Sequence, residues 1–137
     1  MKAVIDASFI ASLFLPDETN DKTTALIQHI ARDGAVVPAL WQLEVTNMLL
    51  MAERRKRLNA SEVSQVLEAM DALPITLQPT LSFQQRSEVL NLARQHNLTS
   101  YDASYLELSM RLSLPLATLD KSLRKAATAV GVQLLNT

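Results

Sequence analysis

Short, unbroken apolar runs alternate with longer helical stretches, and that alternation constrains this chain more than anything else in it. The runs are Ala3 to Asp6, Ala35 to Pro38, Pro74 to Leu77, Leu114 to Thr118 and Val132 to Leu135. Each is bounded by Gly, Pro or polar residues, the usual punctuation of strands. A strand with one wet face alternates apolar and polar side chains. These runs do not, so they suit a parallel sheet covered on both faces. Helical periodicity fills Ser8 to Leu15, Asp21 to Arg32, Ala39 to Arg57, Ala60 to Leu73, Leu81 to His96, Ser100 to Leu112 and Lys121 to Val130. The long third stretch carries Leu40, Leu43, Leu50 and Met51, and the last ends at Gly131, a good residue to close a helix. Strands separated by helices predict a three-layer α/β sandwich with right-handed crossovers. In such a sheet, ligands bind beyond the carboxyl ends of the strands, where the strand order switches.

Acidic residues stand at those places. Asp6 ends the first apolar run and Asp120 follows the fourth. Each has a purely structural explanation as the cap of the next helix. Asp102, three residues after Thr99, fits a capping-box pattern with Asp in place of Glu. Glu44 resists such an account. It lies inside a strongly apolar helix, with Asn47 three residues on and so on the same face. A buried carboxylate without a partner is costly, so that face either looks into a polar site or is partly exposed. Four converging anions raise one another's pKa and need a counter-charge. A hard cation with oxygen ligands, Mg2+ or Mn2+, is the usual remedy. The expectation is a metal-dependent enzyme acting on phosphates.

The remaining chemistry narrows the choice. The chain has 137 residues, which fits one domain over 1–137, and its net charge of −1 does not by itself favour nucleic acid. With no cysteine, disulfides and thiolate metal sites are excluded, which suits the cytoplasm. No apolar run approaches the roughly 20 residues of a membrane span, and the N-terminus is too soon acidic for a signal peptide. Ser8 has no evident His partner, and His29 and His96 are expected on solvated helix surfaces. A phosphatase with an aspartyl nucleophile at Asp6 would want a second acid two residues on, where this chain has Ser8. A phosphate-receiver domain would want a pair of acids early in the chain. The run Arg54, Arg55, Lys56 and Arg57 reads as a helix C-terminus, with phosphate steering or an acidic partner segment as alternatives. Tyr105 is assigned to core packing, and Trp41 to the core or a subunit contact.

Four segments in order resemble the PIN-domain ribonucleases, and in size and spacing the toxins of VapBC-type toxin–antitoxin pairs. They are Val4-Ile5-Asp6-Ala7-Ser8, Pro38 through Glu44 to Asn47 and Leu49, Leu98 to Leu106 around Asp102, and Leu116-Ala117-Thr118-Leu119-Asp120. The similarity covers essentially the whole chain. It implies a parallel five-stranded sheet between helices. It carries the family's metal-site acids onto Asp6, Glu44, Asp102 and Asp120, with Ser8, Asn47 and Thr118 as supports. The implied activity is Mg2+- or Mn2+-dependent endoribonuclease cleavage of RNA, leaving 5′-phosphate and 3′-hydroxyl ends. The implied partners are a cognate antitoxin and a second copy in a homodimer. A PIN nuclease of RNA processing and an inert PIN-like binding module are the alternatives. The complete set of acids argues against the inert one.

Overall fold

Four parallel strands build the sheet: β1 (Ala3–Ile5), β2 (Ala35–Pro38), β3 (Ile75–Gln78) and β4 (Leu116–Ala117). The structure is a computed structural model that describes residues 1–135. The strand order is β3-β2-β1-β4. Ala3 pairs with Ala35, Val4 with both Val36 and Leu116, and Ile5 with Ala117. Every residue of β1 and β2 is buried, as their unbroken apolar composition requires. Edge strand β3 is only partly covered.

The helices are α1 (Ala7–Phe14), α2 (Asp21–Asp33), α3 (Trp41–Arg54), α4 (Ala60–Asp71), α5 (Phe83–His96), α6 (Ser100–Leu112) and α7 (Lys121–Ala129). Their starts are chemically marked. Asn20, Asn59 and Ser82 each form a reciprocal capping box. Thr99 caps α6 by accepting from the Asp102 amide. Helix α1 ends at Phe14, two residues before Pro16, and Gly131, with a φ of 81°, follows α7. Helix α6 packs on β1, β2 and β4 and also against α5 and α7, while α1 packs on α3. No helix among the described residues is long and apolar enough to cross a membrane.

Two expectations need correction. The sheet has four strands among the described residues, not five. Val132 to Leu135 contributes one parallel bridge, Leu116 to Leu134. Its hydrogen bonds are Leu116 N to Gln133 O and Leu135 N to Leu116 O, both 2.9 Å. Strand β4 is itself two residues long, so it offers little ladder for a fifth strand to extend. The buried stripe of α3 is Trp41, Val45, Leu49 and Ala52, whereas Leu43 is 77% exposed. This helix carries more leucines than one face can bury.

The sheet runs from β1 outward to β2 and β3, then returns to place β4 on the other side of β1. The switch in strand order therefore lies between β1 and β4. The carboxyl ends of those two strands deliver Asp6 and Thr118.

Candidate active site

Asp6 and Asp120 occupy the cap positions that their sequence context allows. Asp6 is the N-cap of α1 and Asp120 the N-cap of α7. The capping uses only part of each carboxylate. Asp120 accepts from the Leu123 amide through Oδ2 at 2.8 Å. Asp6 accepts from the Ser8 amide through Oδ1 at a long 3.5 Å. Its Oδ2 takes the Ser8 hydroxyl at 3.0 Å and the Thr118 hydroxyl at 2.8 Å. Thr118 is fully buried, and its oxygen also accepts the Asp120 amide at 3.1 Å. One hydroxyl thus ties the end of β1 to the turn after β4. Arg124 supports the same turn, donating to the Thr118 carbonyl at 3.1 Å.

Glu44 and Asp102 reach this corner from helices. Glu44 sits in the first turn of α3, and Asp102 in the first turn of α6. Both are half-buried. Burial pushes the Glu44 carboxyl above its ordinary value; a hydrogen bond from Tyr105 opposes this, and the Asp6 and Asp102 charges add to it. Burial likewise raises Asp102, and the charges of Asp6 and Asp120 add to the effect. Asp6 thus acts on both helix-borne acids, and Asp120 on Asp102. Asn47 lies on the exposed surface of α3, and no hydrogen bond among the described residues ties it to the acids.

Tyr105 is the residue that sequence reading missed. It is fully buried, as a core residue should be. Its hydroxyl also donates to Glu44 Oε1 at 2.6 Å, across 61 residues of chain. The spacing from Asp102 to Tyr105, three residues on a helix, was the available signal, since it puts both on neighbouring positions of one face. His29 and His96 are partly buried rather than fully solvated. His29 bonds the Met1 carbonyl at 2.8 Å, and neither histidine belongs to the site. Trp41 is buried, with no hydrogen-bond partner for its indole N–H. The basic run is structural at its end, since Arg57 pairs with Asp17 and Glu18, each at 2.7 Å.

Among the described residues, no group of three or more acidic or histidine side chains is gathered into a ready-made cation cage. The donors nevertheless fit a hard cation. The acids offer oxygen alone, and no thiolate or imidazole competes. None of the four is ion-paired among the described residues, whereas Asp17, Glu18, Asp33 and Glu107 all are. Glu44 and Asp102 are desolvated and repelled together, an imbalance that a divalent cation would relieve.

Comparison with known proteins gives a consistent picture. The PIN domain family model matches residues 3–129. Ribonuclease VapC3 of Pyrobaculum aerophilum is 30% identical over 130 residues, covering 95% of this chain and 98% of the relative. Ribonuclease VapC3 of Mycobacterium tuberculosis is 29% identical over 133 residues, covering 95% and 93%. Among solved structures, VapBC2 of Rickettsia felis, bound to a DNA fragment from its promoter, superposes with a TM-score of 0.71. That alignment covers 98% of each chain at 8% identity, a likeness of fold alone.

Proposed function

This chain belongs to the PIN domain family, and from that premise we propose that it is a VapC-type toxin of a type II toxin–antitoxin pair, an endoribonuclease that hydrolyses RNA phosphodiester bonds. Its curated relatives are named ribonucleases and align over nearly their whole length. The observation that carries the reading is the corner between β1 and β4. There a single buried hydroxyl joins the Asp6 carboxylate to the Asp120 amide, and the Asp6 charge acts on both the Glu44 and the Asp102 carboxyls.

The cofactor in this reading is Mg2+ or Mn2+. Asp6 and Asp102 would hold it, and Asp120 and Glu44 would serve as further oxygen ligands or orient the attacking water. The bound cation supplies Lewis-acid activation of water and stabilisation of the leaving oxygen. The protein's own work is to fix the oxygens. Ser8 and Thr118 hold Asp6 Oδ2, leaving Oδ1 with only a long contact. Tyr105 engages Oε1 of Glu44. Asn47 stands within a turn of Glu44 as a further support.

The partners are RNA, a cognate antitoxin and a second copy of the chain. An antitoxin segment that offers a basic side chain to the four acids would inhibit by charge complementarity. A cytoplasmic location belongs to the same proposal, since it would give the enzyme access to RNA.

The test is incubation of purified protein with a mixed RNA pool in Mg2+, Mn2+ or EDTA, beside Asp6→Asn and Asp102→Asn. Metal-dependent cleavage lost in both folded variants is the expected result. Absence of cleavage together with absence of cation binding by calorimetry would instead support an inert binding module.

A further inference from the structure

Helix α6 brings two different things to the acid corner. Asp102 supplies a carboxylate. One turn later, Tyr105 supplies a donor aimed at a carboxylate of another helix. The Tyr105 ring is fully buried, and for packing alone a phenylalanine would do as well. A buried hydroxyl must find a partner. Here the partner is Glu44 Oε1 at 2.6 Å. That length is typical of a strong O–H···O⁻ bond, which is directional as well as attractive. Tyr105 therefore links α3 and α6 at one point. A glutamate side chain has three rotatable bonds. Glu44 has no other hydrogen-bond donor among the described residues, so this contact is what fixes it.

We propose that Tyr105 is a positioning residue of the active site: its hydroxyl holds the Glu44 carboxylate by Oε1 and leaves the other oxygen unengaged. The proposal rests on the metal-nuclease reading above. It assigns a role to the hydroxyl and not to the ring. Residues that hydrogen-bond to metal ligands commonly govern affinity by about 10- to 100-fold.

The experiment is Mn2+ titration by calorimetry, without RNA, on wild type, Tyr105→Phe, Glu44→Gln and the double variant, with thermal melts in EDTA as the fold control. Tyr105→Phe should melt cooperatively and bind Mn2+ about 10- to 100-fold more weakly. In the Glu44→Gln background, the same change should have almost no further effect, because the hydroxyl acts through Glu44. Wild-type affinity in Tyr105→Phe, or an equal loss in both backgrounds, overturns the proposal. If Tyr105→Phe does not fold, 3-fluorotyrosine in the native sequence replaces it. The chain has two tyrosines, and Tyr101→Phe assigns their fluorine signals. Mg2+ should shift the Tyr105 signal in wild type but not in Glu44→Gln; an unmoved signal in a Mg2+-binding protein overturns the proposal. A wild type that binds no cation removes the metal reading itself, and the positioning role with it. An unchanged variant beside a binding wild type removes the positioning role alone.

Discussion

Thr118→Val tests the hinge of the whole site. The substitution keeps the shape and removes one hydroxyl from a fully buried position. That hydroxyl donates to Asp6 Oδ2 at 2.8 Å and accepts from the Asp120 amide at 3.1 Å. A hydrogen bond to a charged group contributes about 1.5–3 kcal/mol. The Ser8 hydroxyl still serves the same Asp6 oxygen at 3.0 Å, which favours the lower half of that range. Asp120 is exposed, so water replaces its lost acceptor at small cost. The expected loss is about 2 kcal/mol, or on the order of 8 °C in Tm for a chain of this size. The assay is urea unfolding in EDTA of wild type, Thr118→Val, Asp6→Ala and the double variant. The cycle isolates the Asp6–Thr118 coupling, expected at about 1.5 kcal/mol. A coupling near zero would show that the bond does not join the two strand ends, and the account of the corner would fall.

Two further measurements probe electrostatics and backbone. Burial raises the Glu44 and Asp102 carboxyls above their ordinary values of 4.5 and 3.8. The folded chain then binds these protons more tightly than the unfolded chain does. Their contribution is complete below the ordinary values and is lost as pH rises through the folded ones. In EDTA, wild type should therefore lose stability relative to Glu44→Gln/Asp102→Asn as pH rises above those ordinary values; a flat difference in denaturant midpoint refutes this. Gly34→Ala should destabilise by about 1–2 kcal/mol, because left-handed backbone penalises a Cβ. Gly34 has a φ of 87°, and an added Cβ would meet the Pro74 carbonyl at 3.1 Å. Gly34 precedes β2, at the opposite end of the sheet from the acids, so cleavage per folded molecule should stay at wild type.

The parallel sheet was legible because fully buried strands must be apolar throughout, and β1 and β2 are. The capping helices were legible because Asn20, Asn59, Ser82 and Thr99 are good cap residues in the right places. Glu44 stood out by the cost of burying a charge. Other features were hidden for physical reasons. A helix with leucines on several sides does not declare its buried stripe, so Leu43 read as core. A terminal strand that joins through one bridge has the same apolar composition as one with a full ladder. Tyr105 looked like packing because packing is most of what it does. Its hydroxyl depends on a residue 61 positions away, and no local pattern encodes that distance.

For Asp6 and Asp120, capping and chemistry are not rival explanations. A cap needs one carboxylate oxygen facing the helix amides. Asp120 accepts its amide through Oδ2, and Asp6 draws on amide and hydroxyl donors around the start of α1. The positive end of each helix also favours an anion there. These two acids are held in the absence of any cation. Glu44 and Asp102 cap nothing. Desolvation is the leading influence on both, and a single tyrosine hydroxyl partly offsets it at Glu44. The corner therefore joins two anchored carboxylates to two whose charge is poorly compensated. The poorly compensated pair has the most to gain from a bound cation. Selectivity for an occupied site should come from Glu44 and Asp102, and mechanical rigidity from Asp6, Thr118 and Asp120.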